Sequence, residues 1–195
     1  MNHSISKLQT GLALVQEPWI YKNRVRGLNI RGGHLYYDST CETPRTCIVA
    51  TGAVQAKMLV QLTSRDVTAV KITISVGGVN RDVVMGSVYL PYDAQEPPPS
   101  KELVNLVQFC ATQKLPLIVG CDANSHHTCW GSSDTNSRGN ALLDYLVTTE
   151  LDILNAGVKP TFVTARWQEV IDISRHCRYS NRCYQLESLR RRISI

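Results

Sequence analysis

The stretch Pro116-Leu-Ile-Val-Gly-Cys-Asp122-Ala-Asn124-Ser-His126-His127-Thr-Cys-Trp-Gly131 passes abruptly from apolar to polar residues. Leu117, Ile118 and Val119 form a block too short for a helix and suited to a strand covered on both faces. Gly120 lets another group approach the backbone. Asp122 and Asn124 follow at the carboxyl end of that strand. Residues two apart on a strand share a side, so the pattern predicts a carboxylate and a carboxamide facing one cleft, beside a loop with two histidines.

Outward from this stretch, the chain alternates strands with helices. On the amino-terminal side, Ser100 follows Pro97-Pro98-Pro99 and caps a helix with Leu103, Leu106, Val107 and Cys110 at i, i+3, i+4 and i+7. Before it, Val70, Ile72, Ile74 and Val76 alternate along a half-buried strand, Gly77-Gly78 makes a turn, and Arg81 to Leu90 returns as a second strand ending at Tyr89. Leu35-Tyr36-Tyr37 and Cys47-Ile48-Val49-Ala50 read as two strands joined by a polar loop. Leu12 to Val15 is another short apolar strand, ending in Gln16, Glu17 and Pro18. On the carboxyl-terminal side, Ser137-Arg138-Gly139 precedes a helix with Leu142, Tyr145 and Leu146 on one face. Leu151 to Leu154, Thr161 to Val163 and Val170 to Ile173 are short strands.

Composition narrows the class. A chain of 195 residues that is 43% hydrophobic suits one domain with a sizeable core. Of its formal net charge of +5, all comes from Arg175–Ile195, which holds six arginines and one glutamate; in the remainder 15 basic residues balance 15 acidic ones. A globally basic coat for nucleic acid is therefore excluded, and affinity of the body for DNA has to come from a local surface. Seven cysteines form neither a Cys-x-x-Cys pair nor a zinc spacing, which favours reduced thiols in an intracellular, soluble protein. No secretory signal and no apolar stretch of membrane-crossing length is legible.

Glu17, Tyr89, Asp122, Asn124 and Asp172 all fall at strand ends, as expected of a site presented over the sheets of an α/β scaffold. A Glu and an Asp from different strands suit Mg²⁺, which keeps several waters and takes one or two carboxylates beside phosphate oxygens. Mn²⁺ satisfies the same donors. Hydrolysis of a phosphodiester needs an oriented water, a cation on the phosphate, and neutral donors such as Asn and Tyr for the charge that develops.

The order Val-Gln-Glu17-Pro, Ser-Val-Tyr89-Leu-Pro, Gly-Cys-Asp122-Ala-Asn124, Pro-Thr161-Phe and Val-Ile-Asp172-Ile resembles the endonuclease/exonuclease/phosphatase family. With Asp122-Ala-Asn-Ser-His-His-Thr-Cys-Trp-Gly-Ser and Asp134-Thr-Asn-Ser-Arg138-Gly139, it is most similar to the endonuclease domain of non-LTR retrotransposons, from about Gly11 to Ser174. The resemblance implies an α/β fold, a two-layer β-sandwich flanked by helices, acting on DNA with Mg²⁺ and without a nucleotide cofactor or a membrane. Glu17 matches the metal ligand. Asp122 matches the aspartate that positions or deprotonates the attacking water, Asn124 a phosphate contact, and Tyr89 the active-site tyrosine. Thr161 matches a threonine near the phosphate and Asp172 the aspartate that orients a catalytic histidine. His126, His127 and Arg138 are candidate phosphate or DNA contacts, packing within the loop being the alternative for the histidines.

Against that pattern, the Asn-bearing first strand and the Ser-Asp-His strand are missing, and the strand pattern stops after Ser174. The expectation is an incomplete family domain over residues 1–174 and a basic, disordered tail over 175–195. The functions that follow are a retrotransposon endonuclease, nuclear if it acts on chromosomes, a low-activity or purely nucleic-acid-binding remnant, or a repair nuclease or phosphatase of the same fold.

Overall fold

The computed structural model describes residues 11–28, 31–149, 151–155, 162–163, 168–170, 172–177 and 193–194. In chain order, β1 (Leu12–Gln16), β2 (Ile20–Tyr21), β3 (Arg24–Val25), β4 (His34–Tyr36), β5 (Thr46–Ala50) and β6 (Ala56–Met58) lead into a long hairpin. That hairpin is β7 (Val67–Val76) and β8 (Val79–Tyr89), and α1 (Lys101–Gln113) then crosses to β9 (Leu117–Asp122). After it come α2 (Ser137–Val147), β10 (Leu151–Ile153), β11 (Phe162–Val163), β12 (Gln168–Glu169), β13 (Asp172–Cys177) and β14 (Ile193–Ser194).

Two sheets dominate, ordered β14-β1-β5-β4 and β10-β13-β9-β8-β7-β6. Gly77 and Gly78, at φ 59° and 79°, close the β7–β8 hairpin, and the pairing runs from Val76↔Val79 down to Val67↔Val88. Positive φ at both turn residues matches the right-handed twist of the strands, which is why the Gly-Gly dipeptide sits there. Because α1 carries the chain back across the sheet, β9 lies parallel to β8, with Tyr89 the register partner of Asp122.

Alternation decides how the layers stack. On β1, Leu12 and Leu14 join Ile48, Val70, Val83, Met85 and Ile118 in the core between the sheets. Ala13 and Val15 point the other way, packing with Val25, Leu28, Cys47 and Val49. The strand is thus apolar throughout because both its faces are covered. Likewise the outer face of the larger sheet meets the helices, where Leu103, Leu106, Val107 and Cys110 of α1 and Leu142 and Leu146 of α2 are buried. Each such aliphatic side chain contributes ~1.5–3 kcal/mol on burial. The result is the expected two-layer β-sandwich flanked by helices.

Polar bridges also cross the sandwich. The Gln16 carboxamide donates to Ser87 Oγ and to the Gly120 carbonyl, both at 3.0 Å, while Ser87 Oγ donates to the Val15 carbonyl at 2.9 Å. Thr46 and Thr68, both fully buried, join hydroxyls at 2.9 Å, and Thr68 also donates to the Thr46 carbonyl.

Three expectations change. The strand pattern does not end at Ser174: Arg175, His176 and Cys177 continue β13, pairing with Val119, Ile118 and Leu117 of β9. Backbone pairing between two neighbours holds a polar segment in a sheet whatever its side chains. Ile193 and Ser194, in the stretch expected to be disordered, pair in parallel with Leu12 and Ala13 of β1. The second helix starts at Ser137 rather than after Gly139, capped by Asn136, whose Oδ1 accepts from the Gly139 N–H at 2.8 Å. Among the described residues no helix is long and apolar enough to cross a membrane.

Gly139 lies against the loop after β9, where a Cβ would come within 1.8 Å of the His126 carbonyl oxygen. Gly139→Ala gains up to ~1 kcal/mol of helix propensity, yet it should destabilise the fold by ~2 kcal/mol or more, since backbone has to move. Urea unfolding measures this. Burial pushes the Cys47 thiol up to about 12 from 9.0. A raised folded-state value means its contribution is intact below about pH 9 and shrinks as pH rises toward 12, by up to ~1.4 kcal/mol per unit. Cys47→Ala should therefore flatten the loss of stability measured between pH 9 and 11.

Candidate active site

Four strands bring their ends to one edge of the sandwich. Tyr89 and Asp122 end the parallel pair β8 and β9, and Asp172, the first residue of antiparallel β13, is the register partner of Asp122. From the other sheet, the Gln16 bridge to Ser87 and Gly120 draws the end of β1 over β8 and β9, so Glu17 arrives beside Tyr89. Burial first, and then the charges of Glu17 and Asp122, push the phenol of Tyr89 above its usual value, against a smaller opposing effect of Arg45. Tyr89 therefore keeps its proton and can donate it in a hydrogen bond.

Two of these residues have a backbone that L side chains rarely adopt. Glu17 has φ 49° and Asn124 φ 44°. The left-handed region costs a non-glycine residue ~1–2 kcal/mol, and such positions gather where the surrounding structure dictates a special geometry. At Glu17 the N–H is held by the Arg45 carbonyl at 2.8 Å. At Asn124 the N–H is held by Asp122 Oδ1 at 3.2 Å, while its Nδ2 donates to the Leu90 carbonyl at 3.2 Å. The simple expectation for this pair is corrected in its reason: β9 ends at Asp122, so it is a turn on the aspartate, not strand alternation, that keeps the carboxamide close.

Arg45 and Asp66 carry no motif in the sequence. Arg45 precedes β5 and Asp66 precedes β7, and both fall at the same edge as Tyr89. The guanidinium carbon lies 4.5 Å from the Tyr89 ring centroid. Its Nε and Nη2 form a two-point pair with Asp66 Oδ1 and Oδ2 at 2.5 and 2.6 Å. Burial works to lower the arginine's pKa, but the bond to Asp66 and its charge outweigh that and hold it above the ordinary value. Tyr89 N–H donates to the Asp66 carbonyl at 2.9 Å, so this pair grips both ring and backbone of the tyrosine. A legible signal was weak: two charged residues, each just before an apolar strand.

The remaining candidates are dispersed among other tasks. Arg138, in the first turn of α2, donates through Nε to the Asn124 carbonyl at 3.2 Å and through Nη2 to the Pro91 carbonyl at 2.8 Å. Burial lowers its pKa, with Asp93 opposing. It braces the loops after β8 and β9. His126 Nδ1 meets Asp134 Oδ1 at 2.7 Å. His127 caps a short 3-10 turn, Thr128–Trp130, accepting from the Cys129 N–H at 3.0 Å, and its ring stands 5.2 Å from that of Trp130. His127 is thus engaged in packing within its loop. Thr161 lies outside the described residues. His176 is the register partner of Ile118, four positions along β9 from Asp122.

Removing one member of the Arg45–Asp66 pair leaves its partner half-buried without compensation. Arg45→Met and Asp66→Asn should each cost ~1–3 kcal/mol. Because the two act as a unit, the double variant should lose clearly less than the sum, a coupling that a double-mutant cycle in urea measures.

The family described as endonuclease-reverse transcriptase matches residues 83–176, which run from within β8 to the penultimate residue of β13. No curated protein sequence matches significantly. Among solved structures, the endonuclease domain of TRAS1, a telomere-specific non-LTR retrotransposon, superposes with a TM-score of 0.70 at 24% identity, over 90% of this chain and 76% of that one. The catalytic domain of Xenopus laevis APE2 gives 0.59 at 12% identity, over 91% and 77%. An endonuclease/exonuclease/phosphatase family protein from Leptotrichia buccalis gives 0.57 at 13%, over 90% and 78%. The chain therefore carries the endonuclease-reverse transcriptase signature on an endonuclease/exonuclease/phosphatase fold, and it resembles the endonuclease domain of non-LTR retrotransposons.

Proposed function

We propose that the chain hydrolyses DNA phosphodiesters with a divalent metal, as the nicking endonuclease of a non-LTR retrotransposon whose product primes reverse transcription. The observation that carries this reading is the convergence of Glu17, Tyr89 and Asp122 where β1, β8 and β9 end together. Two hard carboxylates bear on one phenol there. Among the described residues no three His, Cys, Asp or Glu side chains stand close enough to cage an ion. That donor set fits Mg²⁺ or Mn²⁺, bound through Glu17 and otherwise hydrated, rather than zinc.

What such an ion supplies when bound is neutralisation of charge on the scissile phosphate. The side chains supply the rest. Asp122 accepts the proton of a water as its oxygen forms the new bond to phosphorus. The bond from phosphorus to the 3′ oxygen breaks in line, leaving a 5′-phosphate and a 3′ oxygen that takes a proton from solvent. Tyr89 and the remaining N–H of Asn124 donate to the phosphate oxygens as their charge grows. On chromosomal DNA this activity would be nuclear.

A second reading, binding without cleavage, is favoured by one observation: the histidine on β13 lies opposite Ile118, away from Asp122. Supercoiled plasmid separates the two. Purified protein with Mg²⁺ should nick it, chelator should abolish nicking, and Asp122→Ala should slow it by ~10²–10⁴-fold. Tyr89→Phe should cost ~10²-fold, while His176→Ala should change the rate less than about twofold. Folded protein that binds plasmid but never nicks it would favour the second reading.

A further inference from the structure

The hairpin of β2 and β3 begins three residues beyond Glu17 and is not used by the chemistry above. Lys22 and Asn23, at φ 50° and 58°, form its two-residue turn. Ile20 pairs with Val25, Tyr21 pairs with Arg24, and the Arg26 N–H closes the base on the Trp19 carbonyl at 2.9 Å. Alternation sorts these residues. Ile20 and Val25 pack inward on the outer core of the smaller sheet. Trp19, Tyr21, Arg24 and Arg26 stand on the other face, all exposed, Trp19 at 65% and Tyr21 at 53%.

An exposed indole beside an exposed phenol is unusual on a surface without a partner. Their rings are tilted with centroids 6.2 Å apart, too close to admit a third ring between them. Lys22 Nζ, 5.5 Å from the Tyr21 centroid, leans over the phenol. One side of the indole lies near Gly27, where a Cβ would come 3.6 Å from its ring. The indole shares its exposed face of the hairpin with Arg24 and Arg26 of the opposite arm. From Pro18 to Tyr37 there are four cations, counting Arg31, and no Asp or Glu. In a body of zero net charge, this is a local positive surface carrying an exposed indole.

We infer that this hairpin is a stacking platform for an unpaired base of the DNA strand lying across the site. The inference rests on the nuclease reading. Cations follow a phosphate backbone, and an exposed indole stacks on a base of any identity. In an uninterrupted duplex both faces of each interior base are covered by its neighbours, so Trp19 selects bases that are displaced, flipped or terminal. The position two residues from Glu17 sets such a base beside the phosphate to be cut.

The test uses the full chain carrying Asp122→Ala, so that binding is read without turnover. Its ligands are a labelled single-stranded oligonucleotide, the fully paired duplex of the same length, and vesicles of mixed phosphatidylcholine and phosphatidylserine. Trp19→Ala with Tyr21→Ala should weaken single-strand binding by about tenfold or more and duplex binding by less than about twofold, with Trp19→Phe retaining most of the affinity. Arg24→Gln with Arg26→Gln should weaken both DNA forms and reduce the salt slope by about two. Unchanged single-strand affinity in the aromatic double variant, with its unfolding midpoint intact, would overturn the platform. So would loss confined to vesicle binding, which would mark a membrane-contacting surface. Nicking of plasmid by the unsubstituted chain is scored separately, so the platform and the nuclease reading fail independently.

Discussion

Everything at the site depends on how the smaller sheet is locked onto the larger one, and one half-buried carboxamide, that of Gln16, does much of this. Gln16 donates to Ser87 and to the Gly120 carbonyl, and Ser87 returns a bond to Val15. An apolar interface alone tolerates sliding, because burial is non-directional and nearly proportional to area. Hydrogen bonds inside it do not. A one-residue shift would strand buried donors and acceptors, each costing ~1–3 kcal/mol. That penalty fixes where β1 ends relative to β8 and β9, and hence fixes Glu17 beside Tyr89. The Thr46–Thr68 bridge does the same one strand over.

The site itself stores unfavourable terms that this frame supports. Glu17 and Asn124 take left-handed backbone, and Arg138 is desolvated against backbone carbonyls. Against these stand the Arg45–Asp66 pair, the stacking of Arg45 on Tyr89 and the turn on Asp122. A cation over an aromatic face contributes ~0.5–2 kcal/mol according to its exposure. The gain is comparable to the strain at one residue, so the pair alone does not hold the site. The inter-sheet bridges and the core supply the rest.

What was legible in the sequence was what local period records. The β7–β8 hairpin, the buried face of α1 and the abrupt end of β9 follow from patterns of two or 3.6 residues, and Asp122 was visible because an apolar run stops there. Arg45 and Asp66 were not, since they lie 21 residues apart and meet only through pairing between distant strands. Residues 175–177 looked unlike a strand because their side chains are polar, although backbone bonds to β9 and β10 are what hold them. The roles of His127 and Arg138 were hidden for a related reason. Both residue types suit a phosphate, and only the fold shows that one caps a turn and the other braces two loops.

Charge at the site explains why a metal belongs in the proposed chemistry. Arg45 gives two nitrogens to Asp66 and its face to Tyr89, and Arg138 gives two nitrogens to backbone carbonyls. These cations are committed to holding the site together. A phosphodiester approaching Glu17 and Asp122 would meet like charge, worth ~4 kcal/mol for each pair at 4 Å in a surface-like dielectric. Tyr89 and Asn124, being neutral, cannot offset that. A hydrated divalent ion can, and it needs only the carboxylate already aimed there. The arginines then act as architecture, and the variable electrostatic partner is the ion, so affinity for substrate and affinity for metal should rise and fall together.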